Sequence, residues 1–206
     1  MIGAGLPLVM PAMAMAGASY RTRELSRADM IWRSITAAIQ KRDNHTCLGC
    51  QFRASFRMQV HHRDHNHTNN SPRNLATACC WCHAVQHPGF HGMEGRAYLL
   101  EMQIPTDIDW KSAISMVEKI QRELIRRWQR CLLEGTPAPT PSEMGLRVAH
   151  ELTLVDLAND FVGGRRRSCI DDRATGRFGY LMGLEPWAFE EEVRIWKQSG
   201  NFSIAS

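Results

Sequence analysis

Long hydrophobic runs are scarce in this chain of 206 residues. Only Met1–Ala18 approaches membrane-spanning length. It is poor in Leu and Ile, is interrupted by Gly and Pro, and carries no basic n-region. It therefore reads as a lead segment or an opening strand, not as a transmembrane helix or a secretory signal. No internal repeat recurs, which excludes a solenoid or a propeller. No recognisable element for entering a DNA groove is present, so sequence-specific base readout has no visible carrier. Charge of one sign is in short supply as well. The net charge is only +4, too small to argue for a polyanionic partner by itself.

What charge there is lies unevenly. Residues 1–134 hold seventeen Lys/Arg against eleven Asp/Glu, a balance of +6; the remainder holds eight against ten, a balance of −2. The basic excess thus accompanies a stretch dense in Cys and His. With 44% hydrophobic and 22% charged residues, the composition is that of a globular protein of one core plus an appendage, or of two small domains.

The stretch runs from Cys47 to His87. Cys47-Leu-Gly-Cys50 and Cys79-Cys-Trp-Cys82 are separated by twenty-eight residues. Two CxxC pairs spaced this way fold around one tetrahedral Zn²⁺, each giving two thiolates. Disulfides are the alternative for seven cysteines, but interleaved His favours metal, a reducing compartment and hence a cytoplasmic location. A closed four-thiolate site is structural, because no coordination position stays open. Cys80 is expected to face away from the metal, Cys131 lies in a helical pattern, and Cys169 has no evident partner.

Periodicity gives a coarse α+β reading. Ser26–Arg42 is an amphipathic helix with Ser26 as N-cap and Met30, Ile31, Ile35, Ala38 and Ile39 on its apolar face. Phe56–His62 and Asn74–Ala78 are strands around a polar loop. A helix opens at Cys79 and stops near Pro88-Gly89, and Gly92–Gly95 is a turn. Ala97–Ile104 pairs as a strand. Asp107–Leu133 is the longest helix, with Lys119, Arg122, Arg126, Arg127 and Arg130 on a face that is either solvated or set against nucleic acid. Glu134–Pro141 is a stiff Pro-rich linker. Ser142 caps a helix to about Phe161, Gly163–Arg167 is a turn with a basic cluster, and Pro186–Lys197 is a last helix packing through Trp187, Phe189, Val193 and Trp196. The expected organisation is a lead over 1–25, a zinc-binding module over 26–104, a long helix over 105–134 and a helical C-terminal region over 142–206.

Inside the zinc loop the side chains suit phosphodiester hydrolysis. That reaction needs a base for water, a cation at the scissile phosphate and leaving oxygen, and a group that holds the base in its working tautomer. His62 can be the base and Asn74 can orient it. His83 and His87, at i and i+4, share a helix face and with His61 can hold a divalent metal, Mg²⁺ or another. Arg53, Arg57, Arg63 and Arg73 surround the candidate site and can bind backbone phosphates. His65, His67 and His91 read as exposed loop histidines.

These residues resemble the HNH endonuclease family, the ββα-metal nucleases. The likeness covers Ala28–Pro88 and rests on Cys47/Cys50, Val60-His61-His62, the run to Asn74-Leu75, and Cys79-x-x-Cys82-His83. It implies a zinc-stapled ββα-metal core with a helical C-terminal extension. It also implies endonuclease or nickase activity on DNA, with His62 and Asn74 catalytic and His61 and His83 metal ligands. The colicin-type branch adds His87 as a third ligand. A second, longer likeness is to the IcmJ/DotN family of type IVB secretion and conjugation systems, carried by Thr68-Asn-Asn and Asn74–Cys82. It implies a coupling-complex partner and a zinc scaffold that need not cut.

Overall fold

Apolar residues at helical spacing, with no Gly or Pro among them, make Arg27–Arg42 a helix, α1. The computed structural model describes residues 27–162 and 168–205. The expected lead over 1–25, the Ser26 cap and the 163–167 cluster lie outside them. Ile39 is the buried anchor of α1, whereas Met30 and Ile31 of the expected apolar face are exposed. The end of α1 is tied to residues 72–77. Arg42 donates to the carbonyls of Pro72 and Leu75 at 2.5 and 2.9 Å, and Asp43 accepts the Thr77 N–H at 2.9 Å.

A short strand β1 (Arg53–Ala54) precedes the hairpin of β2 (Gln59–His62) and β3 (Leu75–Ala78), in which Gln59 faces Ala78 and His62 faces Leu75. β2 starts later than the expected Phe56, because Arg57 sits at φ +59°, where extended pairing is broken. Helix α2 (Cys80–Val85) comes directly after β3. It stops short of His87, because Pro88 drives the residue before it out of the helical region: His87 has φ −133° and ψ 53°. Pro88 then opens a separate helix, α3 (Pro88–Met93), where its missing N–H costs nothing. The turn expected over 92–95 is thus the end of α3.

β4 (Ala97–Ile104) and α4 (Trp110–Glu134) match the expected strand and long helix. Asp109 caps α4 by accepting the Ser112 N–H at 3.0 Å, and Gly135 closes it at φ +76°.

Beyond residue 141 the expected helical extension is corrected. A short 3₁₀ turn, Ser142–Met144, leads into β5 (Arg147–Val148) and α5 (Leu154–Val162). Then come β6 (Ile170–Arg173), β7 (Gly176–Leu184), a 3₁₀ turn at Pro186–Phe189, α6 (Glu190–Ser199) and β8 (Phe202–Ser203). The fold is α+β. Its main sheet is antiparallel in the order β5-β4-β7-β6, so β4 lies inside a sheet built largely by C-terminal strands. Two glycines allow this packing. A Cβ on Gly179 would lie 2.5 Å from Val117 of α4, and one on Gly183 would overlap the ring of Tyr98 across the strand pair.

The C-terminus returns to the first CxxC. β8 pairs with β1, Ala54 opposite Phe202. Trp196 is buried against Phe52 and Trp81 and donates its indole N–H to the Phe56 carbonyl at 2.7 Å. Among the described residues no helix is long and apolar enough to cross a membrane.

Candidate active site and metal centres

The hairpin, α2 and the first CxxC bring four thiols together. Cys47, Cys50, Cys79 and Cys82 are fully buried, and their sulfurs lie within 4.8 Å of one another. No disulfide joins any of the seven cysteines. Burial raises the Cys79 and Cys82 thiols well above their usual range, while sulfur hydrogen bonds from Cys50, Cys79 and Cys82 outweigh burial at Cys47 and lower it. A divalent ion that replaces those protons relieves this crowding, so the donor set fits Zn²⁺. Cys79 doubles as the N-cap of α2, its sulfur 3.5 Å from the Cys82 N–H. Cys80, as expected, stands outside the cluster.

Helix α4 supplies the outer layer. Gln129 is buried and donates Nε2–H to the Cys50 sulfur at 3.2 Å. Arg122 and Arg126 donate to the carbonyls of Gly49 and Cys50 at 3.0 and 3.2 Å. The basic face of α4 is therefore partly a clamp on the first CxxC knuckle. Arg127 and Arg130 pair with Glu123, and Lys119 stays exposed.

A second cluster lies above the first helix turn. His61 of β2, His83 of α2 and His87 each offer a ring nitrogen, all within 4.8 Å of one another. His87 reaches this place although it lies outside α2, because its N–H closes onto the Ala84 carbonyl at 2.8 Å and continues the curl by one turn. His61 is 2% exposed and His87 7%. His61 Nε2 and His87 Nδ1 are buried without a hydrogen-bond partner among the described residues. Burial first, and the neighbouring imidazoles second, push these rings down to about 2 for His61, about 3 for His83 and about 4 for His87. Neutral, converging and otherwise unsatisfied imidazoles are the donors a transition metal takes. Among the described residues no carboxylate joins the cluster, so its donor set is one of nitrogens rather than the oxygens that the expected Mg²⁺ prefers.

His62 borders the same cleft, a cavity of about 420 Å³ lined also by Trp32, His67 and Asn70. Its ring is sandwiched between Trp32, stacked at 5.2 Å, and His67, stacked at 5.1 Å. His62 Nε2 lies 2.9 Å from Asn70 Oδ1. The expected orienting role of Asn74 is thus corrected in geometry. Asn74 donates to Asp64 Oδ1 at 2.7 Å and to the Asn69 carbonyl, and accepts the Asp64 N–H at 3.0 Å. It closes the 64–74 loop, while Asn70 meets the histidine.

The expected phosphate-binding arginines are scattered. Arg57 is exposed and 3.6 Å from Glu191, Arg73 is exposed, and Arg63 is half-buried with its N–H on the Asn74 carbonyl at 2.8 Å. Arg53 reaches Asn44 Oδ1 at 3.2 Å. His91 is not an exposed loop residue; it is buried in α3.

No family model matches the chain. A stretch of 64 residues is 36% identical to the Type 4 apparatus protein DotN of Legionella pneumophila. That stretch is 31% of this chain and 30% of the relative, so under a third of the relative's length is covered.

Trp32, His67, Asn70 and Gln129 were not singled out as site residues by the sequence. Trp32 comes from α1 and Gln129 from α4, while His67 and Asn70 share the loop between β2 and β3, which only its polar density marked.

Proposed function

We propose that the chain is a metal-dependent nuclease of the ββα-metal type that cuts DNA, with the four-thiolate zinc as its staple. The observation that carries this reading is the shared cleft. Three neutral imidazoles converge within 4.8 Å, and a fourth, His62, borders the same cavity in a fixed orientation. A divalent ion held by His61, His83 and His87 would neutralise charge on the scissile phosphate and the leaving oxygen. His62 takes the proton of the attacking water. Its Nε2–H donates to Asn70 Oδ1, which leaves Nδ1 as the accepting nitrogen. Trp32 and His67 restrict the ring to one plane.

The test is nicking of supercoiled plasmid by wild type and His62→Ala, in EDTA and with Mg²⁺, Mn²⁺ or Zn²⁺, with bound zinc measured in both. Nicking that needs metal and disappears in a zinc-loaded His62→Ala protein supports the reading. No nicking by folded, zinc-loaded wild type with any metal removes it.

A second reading draws support from the similarity to DotN. In it the zinc-stapled fold is a non-cutting scaffold of a type IV secretion or conjugation apparatus. Stable co-purification with components of such an apparatus by an inactive wild type is its expected signature.

A further inference from the structure

His67, His83 and His87 wall two cavities. The second, of about 430 Å³, does not include His61, His62 or Trp32. Its walls are aromatic and acidic. Phe90 of α3 and Trp187 and Phe189 of the turn before α6 give the rings; Glu190, Glu191 and Glu192 of α6 give carboxylates. Trp187, which the sequence assigned to the packing face, is 50% exposed here, while Phe189 is buried.

The charges on this wall are not balanced internally. Arg96 also lines the cavity, but it is paired with Glu94 at 2.9 Å. Glu191 is shared between Arg194 and Arg57 at 2.8 and 3.6 Å. The carboxylates of Glu190 and Glu192 have no hydrogen bond or ion pair among the described residues. Carboxylates in a first helical turn are favoured by the helix dipole, but that does not require them to border an aromatic cavity. A further group there lacks a partner: His91 is 7% exposed, and its Nδ1 is buried with no hydrogen bond among the described residues.

We propose that this cavity receives a guanidinium side chain from a protein partner. Glu190 and Glu192 meet its charge, the faces of Trp187 and Phe90 stack on its plane, and His91 Nδ1 accepts one of its N–H groups. A planar guanidinium with five donors suits this mixed wall better than a compact ammonium. A nucleic-acid strand is disfavoured, since it would bring phosphates against two unpaired carboxylates. The site stands whether or not His62 cuts.

The test uses full-length, zinc-loaded, ¹⁵N-labelled protein. The Trp187 indole N–H resonance, identified by its loss in Trp187→Ala, is followed during titration with acetyl-Gly-Arg-Gly-amide. The same peptide with citrulline, neutral and nearly isosteric, and a short cytidine-rich oligodeoxynucleotide are the other arms. The expected result is a saturable shift with the arginine peptide, weakened by salt, and little or none with citrulline. Glu190→Gln with Glu192→Gln should weaken it at least about fivefold. If the double variant fails to hold zinc, each single variant serves, with a smaller loss in the same direction. No shift with arginine, an equal shift with citrulline, or a response confined to the oligonucleotide overturns the proposal.

Discussion

His62 is held on three sides, by the rings of Trp32 and His67 and by the carboxamide of Asn70. Under the nuclease reading Asn70→Ala frees the tautomer without touching either metal cluster. We expect plasmid nicking to fall about 10- to 100-fold with bound zinc unchanged. Asn74→Ala acts differently. It removes both the donor and the acceptor that hold Asp64, so urea denaturation should show a loss of roughly 1–2 kcal/mol. Which asparagine does which was not legible in the sequence. Asn69, Asn70 and Asn74 share one polar loop, and only closure of that loop on Asp64 decides which amide faces the ring. The approach of His61, His83 and His87 was legible in part: β2 carries the first and α2 the second, while His87 joins them from just beyond α2. They also set a pH dependence. His61, His83 and His87, pushed by burial to about 2, 3 and 4, have an unfolded-state value near 6.5. Between those values the unfolded chain binds more protons than the folded one, so stability falls as pH drops below about 6.5 and is unaffected by these groups above it. With the histidine cluster stripped of metal, urea midpoints should decline from pH 7 to pH 5. The decline should be shallower in a His61→Gln, His87→Gln protein.

Helix α4 joins the two halves of the fold through two glutamines. Gln129 donates to the Cys50 sulfur, so Gln129→Leu removes a hydrogen bond from a thiol of the four-cysteine cluster, which fits zinc. We expect zinc affinity, measured by competition with a chromogenic chelator, to drop about 10- to 100-fold. Eight residues earlier, Gln121 accepts the Met182 N–H at 2.7 Å and donates to the Met182 carbonyl at 3.0 Å. Among the described residues the β6–β7 register ends at Gly179, with one further bond from the Tyr180 N–H to the Cys169 carbonyl, and beyond it this carboxamide satisfies both backbone groups of Met182. Gln121→Leu leaves two buried backbone groups unpaired, and its cost in chemical denaturation should be about 2–4 kcal/mol. The helix itself was plain from its apolar period. The strand it covers was not. β7 is buried on both faces from Phe178 to Leu184, so it shows no alternation, and its Gly179 and Gly183 are sites of close approach that carry no strand signal. Helix α3 was hidden in the same way, since Gly92 makes room for Leu154 of α5.

At the scale of the whole molecule the four-cysteine knuckle is a junction. α4 clamps its carbonyls through Arg122 and Arg126, β8 pairs beside it, and Trp196 packs on Phe52, two residues after Cys50. The sequence shows the knuckle and the Trp-rich last helix separately, about 150 residues apart, with no local signal that they meet. Two energies bear on that meeting. A structural zinc contributes on the order of 10–16 kcal/mol of apparent binding energy, comparable to or larger than the ~5–15 kcal/mol net stability of a typical domain. Stripping it should therefore not leave a folded remainder with one loose loop. Because β8 and α6 rest on the knuckle, chelation should melt the C-terminal segment together with the hairpin. The opposite perturbation provides the check. Trp196→Ala empties a buried ring site between Phe52 and Trp81 and drops the hydrogen bond to Phe56, at a cost of about 3–5 kcal/mol. If the junction is mechanical, that substitution, far in sequence from every thiol, should speed zinc release to a chelator, and added zinc should recover part of the lost melting temperature. Zinc release at the wild-type rate from a destabilised Trp196→Ala protein would mean that the C-terminal wrap stabilises the fold without guarding the metal.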